Sequence, residues 1–228
     1  MSVASTIKTI NAGSNCFLMK SHTGFVLIDT GVASKRSALE KELQSAGCGA
    51  GDLKVIVLTH GDSDHADNAA FLREQFGAPI AMHPDDVGMV ERGDMSHNRK
   101  AKPDRIKAMG RLIMLVGRVM TLVGPGNFDR FSPDVYLKNG QSLAEYGFDA
   151  KVLHLPGHSK GSIGVLTADG ELFCGDFIYN FFGPNQVWVD DLAAANAGVE
   201  RLKTLNVRTV YPGHGKPFPW EEFVRRHG

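Results

Sequence analysis

The stretch Thr59-His60-Gly61-Asp62-Ser63-Asp64-His65-Ala66-Asp67-Asn68 constrains this chain more than any other, because it sets two imidazoles and three carboxylates within eight positions. That density of ligating groups is metal-site chemistry. The run before it, Lys54-Val55-Ile56-Val57-Leu58, is apolar and β-branched enough for a buried strand, and Ala69–Phe76 followed by Gly77 predicts a helix with a C-terminal glycine. The cluster therefore falls on a strand-to-helix loop, where rigid scaffolds present functional groups, and a tight turn would bring the alternate residues His60, Asp62 and Asp64 together. Taken alone it also suits a solvated acidic loop in which Asp64 or Asp67 caps the following helix.

Three distant residues stand in similar surroundings, each after a short apolar run and beside glycine: His158 in Leu155-Pro156-Gly157-His158, Asp176 in Phe173-Cys174-Gly175-Asp176, and His214 in Tyr211-Pro212-Gly213-His214-Gly215. Glycine lets backbone approach closely. In this order the motifs resemble the metallo-β-lactamase superfamily, whose pattern is HxHxDH, a PGH histidine, a GD aspartate and a late GH histidine. The resemblance covers nearly the whole chain. It implies that His60, Asp62 and His158 hold one metal ion, that Asp64, His65 and His214 hold a second, and that Asp176 bridges them. Hydroxide shared by two divalent cations about 3.5 to 4 Å apart is a nucleophile at neutral pH.

The chain departs from the pattern at Asp62, where the family has histidine. A carboxylate binds zinc at about 2.0 to 2.2 Å but is shorter than imidazole, so it reaches the same ion only if the loop moves inward or the ion shifts. The exchange also removes one unit of positive charge and favours harder metals. Two divalent ions are expected, zinc first, with iron or manganese favoured by Asp62. Histidine placed at 62 should then raise zinc retention. The resemblance leaves two other readings: a di-iron redox or oxygen-sensing protein related to the flavodiiron branch, which has glutamate at this position, and a single-metal or non-catalytic member of the fold.

A chain of 228 residues can bury one sizeable core, so one domain over 1–228 is expected. Lys plus Arg and Asp plus Glu are 25 each, so overall charge predicts no polyanion partner such as nucleic acid; a small-molecule substrate is what the resemblance implies. The three cysteines, Cys16, Cys48 and Cys174, are odd in number and lack CxxC spacing, which favours a reducing compartment. Cys174 precedes Asp176 by two residues in a predicted strand, so it either faces the site or is a buried structural thiol. The N-terminus has no continuous apolar run of signal-peptide type, which points to the cytoplasm and away from an antibiotic-degrading lactamase. His22, His83, His97 and His227 read as surface or hydrogen-bonded histidines. His154, four residues before His158, is a candidate to support the ligands.

Strands are predicted at 7–10, 15–20, 25–29, 79–82, 151–155, 162–167, 171–174 and 208–211, with helices at 34–46, after Pro84 and at 191–204. Composition gives mixed α and β; the resemblance implies a four-layer αββα sandwich. Residues 98–130 fall outside that pattern, carrying eight basic against two acidic residues. Ile106, Met109, Ile113, Val116, Met120 and Val123 share helical spacing, which predicts an apolar-faced helix over 105–123 serving as an active-site lid first, or else as a homodimer contact, an anionic membrane-surface contact or buried core. It is too short and interrupted, by Gly117 and Arg118, to span a bilayer. No transmembrane segment is expected.

The chain ends fourteen residues after His214, leaving no room for the helical domain of glyoxalase II-like thioesterases. The expectation is hydrolysis of a small carbonyl ester, lactone or thioester. Asp64 would orient the nucleophile, and Tyr179, at the spacing of a tyrosine in acyl-homoserine-lactone lactonases, would hydrogen-bond the oxyanion or simply pack with Phe177, Phe181 and Phe182.

Overall fold

The computed structural model describes residues 7–107 and 129–227. The first half contains β1 (Ile7–Asn11), β2 (Asn15–Lys20), β3 (Phe25–Ile28), α1 (Arg36–Ser45), β4 (Leu53–Val57), α2 (Ser63–Ala66), α3 (Ala69–Phe76), β5 (Ile80–Met82), α4 (Val87–Arg92), β6 (Arg105–Ile106) and β7 (Val135–Tyr136). The second contains β8 (Ala150–His154), β9 (Ile163–Thr167), β10 (Glu171–Gly175), β11 (Tyr179–Asn180), β12 (Pro184–Asn185), β13 (Trp188–Val189), α5 (Leu192–Lys203), β14 (Thr209–Pro212), β15 (Phe218–Pro219) and α6 (Trp220–His227).

The principal sheets are ordered β1-β2-β3-β4-β5-β7 and β15-β14-β10-β9-β8. Their central strands are buried on both faces, which is why Phe25-Val26-Leu27-Ile28 and Val55-Ile56-Val57 are continuous apolar runs. Alternation along each strand then sorts side chains into layers. Phe17, Met19, Val26, Ile28, Val55 and Val57 meet Val152, Ile163, Val165 and Phe173 between the sheets. Cys16, Leu18, Leu27 and Ile56 face outward onto Leu39 and Leu43 of α1 and Leu72 and Phe76 of α3. On the opposite side, Leu153, Leu172, Cys174 and Val210 lie under Ala195 and Leu202 of α5 and Trp220 and Phe223 of α6. This is the αββα sandwich.

Strand and helix positions agree with the sequence pattern to within about two residues. Gly77 closes α3 in the left-handed conformation, φ 68°, and donates its N–H to the Arg73 carbonyl, as its position predicts. β7, β15 and α6 have no counterpart in the sequence reading. α6 starts directly after Pro219, with Glu221 and Glu222 in its first turn and Arg225 and Arg226 in its last.

One expectation changes, and one pair of open alternatives is decided. The helix over 105–123 does not begin at 105, because Arg105–Ile106 is a strand paired antiparallel with Trp188–Val189. Residues 108–128 of that segment lie outside the described residues, and with them the lid and homodimer contact. Cys174 does not face the site. The β10/β14 register shifts between Phe173 and Gly175, and Gly175 is left-handed at φ 50°. The bulge breaks period-two alternation, so Cys174 points into the helix-covered core while Asp176 turns to the sheet edge. Burial pushes the Cys174 thiol up to about 12, and Cys16 and Cys48 are also free and buried. Among the described residues no helix is long and apolar enough to cross a membrane.

Phe17 and Phe173 meet across the two sheets with ring centroids 5.0 Å apart. Phe173→Ala is expected to lower unfolding free energy by about 3 to 5 kcal/mol, read from urea denaturation followed by circular dichroism. The three thiols should react with iodoacetamide only after denaturation.

Candidate metal centre

The ends of β4, β8, β10 and β14 open at one edge of the sandwich, and the loops that leave them carry the polar residues singled out in the sequence. His60, Asp62 and His158 form one cluster of donors, and Asp64, His65 and His214 another. In the first, Asp62 Oδ2 lies 3.0 Å from His158 Nε2 and 3.5 Å from His60 Nε2. In the second, Asp64 Oδ2 lies 3.1 Å from His214 Nε2 and 3.8 Å from His65 Nε2. Asp176 stands between them, Oδ1 being 3.2 Å from His65 Nε2 and Oδ2 4.0 Å from His158 Nε2.

These residues fit metal ions. Ligand atoms about 2.0 to 2.1 Å from a four-coordinate ion are separated by about 3.3 Å, and most distances in both clusters fall near that value. His60 Nε2, His65 Nε2 and Asp176 Oδ1 are buried without a hydrogen-bond partner; such atoms are costly unless a cation satisfies them. The shorter Asp62 side chain reaches its cluster after all. The helix-capping reading does not hold, since neither α2 nor α3 has a side-chain cap and Asp67 instead accepts the Ala33 N–H.

Several supporting residues were not singled out by sequence. Asp29, fully buried after β3 and left-handed at φ 59°, accepts from the Thr59 N–H at 2.8 Å and bonds His65 Nδ1 at 2.8 Å. Asp86 accepts the N–H groups of Gly61 and Gly161 and the Ser159 hydroxyl, at 3.2, 2.7 and 2.6 Å. Asn15 donates to the carbonyls of Pro212 and Gly215, flanking the His214 loop. A β-carbon at Gly213 would lie 2.5 Å from Asp176 Oδ1 and 2.6 Å from His65 Cε1, so the loop has room only for glycine. Arg99, from the basic segment, donates to Asp62 Oδ1 at 2.6 Å. A positive φ at Asp29 and an arginine whose partners are distant in sequence leave no periodic signal to read.

Tyr179 is in the centre, but its buried hydroxyl donates to Asp176 Oδ2 at 2.7 Å. His154 is not: its ring stacks on His83 at 4.0 Å and its Nε2 meets the Lys160 carbonyl.

Burial opposes every charge here, and the charges answer one another. Against burial, the Arg99 guanidinium and the His158 hydrogen bond hold Asp62 well below the usual carboxylate range. His214 and His65 do the same for Asp176, which in turn raises both histidines against their own burial. Burial and the Asp176 charge raise Tyr179, keeping its phenol a donor. The cluster opens to solvent at Asp64 and His214, whose side chains are 36% and 18% exposed.

The family model of the metallo-beta-lactamase superfamily matches residues 11–214, and the chain belongs to that superfamily. It is 30% identical over 130 residues to the hydroxyacylglutathione hydrolase GloC of Haemophilus influenzae, a match covering 56% of this chain and 51% of that protein. The chain thus spans about half the length of that relative. It is 25% identical to the probable metallo-hydrolase YflN of Bacillus subtilis, over 87% of this chain and 78% of YflN. Among solved structures, TTHA1623 in a di-iron-bound form superposes with a TM-score of 0.68 at 27% identity, covering 96% of this chain and 97% of that one. The BLEG-1 B3 metallo-beta-lactamase, at 22% identity and a TM-score of 0.70, over 96% of this chain and 97% of its own, shares the fold.

Removing the Asp86 carboxylate strands three buried donors. Asp86→Ala is expected to cost about 3 kcal/mol of stability, and Asp86→Asn less, both measured by denaturant unfolding.

Proposed function

We propose that this protein is a metallo-hydrolase that holds two divalent ions with His60, Asp62, Asp64, His65, His158, Asp176 and His214 and cleaves a small carbonyl ester, lactone or thioester. The observation that carries this reading is the convergence of seven donors at ligand-to-ligand spacing, three of them with buried atoms that no other group satisfies. Bound there, two divalent ions would supply a water acidic enough to act as nucleophile near neutral pH and would polarise the carbonyl. The chain's own residues supply the rest. Asp64, on the open face and with its backbone carbonyl fixed by the Ser14 hydroxyl at 2.6 Å, accepts the proton of the attacking water and returns it to the leaving group. Tyr179 holds Asp176 in the orientation that serves both clusters, and it becomes an oxyanion donor only by turning from that carboxylate.

The relatives support the bond type. GloC is named for a thioester substrate, and because the match spans about half of that protein the proposal takes over the thioester without the glutathione. YflN is named a probable metallo-hydrolase. A second reading, a di-iron redox protein, is favoured by the Asp62 oxygen donor and by the di-iron-bound form of TTHA1623.

Elemental analysis of protein purified without chelators separates the two. About two zinc or manganese ions per chain, with turnover of thioesters or lactones, is the expected result; two irons with visible charge-transfer bands would move the assignment to redox chemistry. Asp64→Asn should lower kcat by about 10²- to 10⁴-fold. Asp176→Ala should abolish turnover, and an active Asp176→Ala protein would overturn the hydrolase reading.

A further inference from the structure

Arg99 is fixed from several sides. Its Nη2 donates to Asp62 Oδ1 at 2.6 Å. Nη1 donates to the His158 carbonyl at 2.9 Å and faces Asp190 Oδ2 at 3.4 Å, and Nε donates to the Met95 carbonyl at 2.9 Å. Asp190 is itself held, its Oδ1 accepting the Trp188 indole N–H at 2.9 Å and its backbone N–H reaching the Gly157 carbonyl at 2.7 Å. The guanidinium therefore does not depend on Asp62 for its place, and its side chain is only 11% exposed.

This arrangement divides the Asp62 carboxylate. Oδ1 is committed to Arg99, while Oδ2 is the atom 3.0 Å from His158 Nε2 and 3.5 Å from His60 Nε2. An unpaired aspartate offers an ion two oxygens and a full negative charge. Asp62 beside Arg99 offers one oxygen, with its charge matched by a planar cation that is always protonated. A neutral imidazole offers the same to an ion: one donor atom and no charge. Nη2 also lies 3.3 Å from His158 Nε2, so Arg99 borders the ion's place, but among the described contacts it has none with His60, whose Nε2 is left unsatisfied.

We infer that Asp62 and Arg99 act together as a two-residue substitute for the histidine of the HxHxDH pattern, with Arg99 the positioning residue that makes Asp62 a single-oxygen, charge-compensated ligand. The inference rests on the two-ion reading above. It reverses the expectation, drawn from Asp62 alone, that histidine at 62 favours zinc. In Asp62→His the guanidinium would remain pinned by Asp190 and the His158 carbonyl, with an unpaired N–H aimed at the imidazole beside the first ion. Histidine should work there only when Arg99 is removed as well.

The test is zinc content after reconstitution with excess zinc and gel filtration, together with the rise in Tm that zinc produces, for the wild type, Asp62→His, Asp62→Asn and Asp62→His/Arg99→Met. About two ions per chain are expected for the wild type, about one for each single variant, and about two for the double variant, with the zinc-dependent Tm rise falling and recovering in parallel. The ion at the second cluster reports that each variant is folded. Asp62→Asn keeps the size of the side chain, leaves its oxygen on Arg99 and turns an amide N–H₂ toward the ion, so it carries the test if the histidine variant does not fold. Two ions in either single variant, or a double variant no better than Asp62→His, would overturn the pairing. Fewer than two in the wild type would overturn the two-ion reading instead.

Discussion

The buried carboxylate of Asp29 is the interaction on which the centre depends. It accepts the Thr59 N–H at 2.8 Å, the Thr59 hydroxyl at 2.8 Å and the His65 Nδ1 hydrogen at 2.8 Å. The single Thr59 hydroxyl hydrogen is thereby committed to Asp29, so Thr59 Oγ1, 3.0 Å from His60 Nδ1, accepts from that ring. One carboxylate thus fixes both rings through Nδ1 and leaves Nε2 of each as the nitrogen that faces the cluster. Orienting the far ring nitrogen is the usual way a protein fixes a histidine ligand. The left-handed backbone at Asp29, unusual for a non-glycine residue, is tolerated because its N–H is held by the Val57 carbonyl at 2.9 Å and its side chain is saturated with donors.

Asp86 does for the backbone what Asp29 does for the rings. Its two oxygens tie Gly61, next to His60, to Ser159 and Gly161, next to His158. The two loops belong to different halves of the chain, and the Ile163 N–H to Thr59 carbonyl bond at 2.8 Å joins them again. A buried carboxylate with three donors is satisfied, and each donor removed costs stability. The loops of the first cluster are therefore tied together by the chain's own hydrogen bonds.

The features legible in the sequence were those written in local pattern. Apolar runs such as Phe25–Ile28 and glycine-bounded strands gave the individual elements, the seven donors stand in short motifs whose order identifies the family, and the αββα layering came with that resemblance. Position 62 was legible as a departure and not as a pair, because Arg99 is 37 residues away, in a basic segment ahead of the run with helical spacing. Asp29 and Asp86 are ordinary aspartates in sequence; only the fold gives them three donors each. Cys174 shows the limit of periodicity: two residues from Asp176 means the same face only in a regular strand, and the bulge at Gly175 breaks that rule.

Each cluster draws on both halves of the molecule. His60 and Asp62 follow β4 of the first sheet and meet His158, which follows β8 of the second; Asp64 and His65 meet His214 and Asp176 from the ends of β14 and β10. An ion in either cluster would therefore clip one sheet to the other at this edge, adding to the apolar layer that joins them elsewhere. Ions that bind only the folded state stabilise it by mass action, and here the stabilisation is local to the open edge. Asp29, Asp86 and Asn15 already hold the loops there, so ion loss would relax the ligand side chains before it separates the sheets. The edge is open to solvent at Asp64 and His214, while the aromatic contacts of Phe17, Phe173 and Tyr211 keep the layers packed.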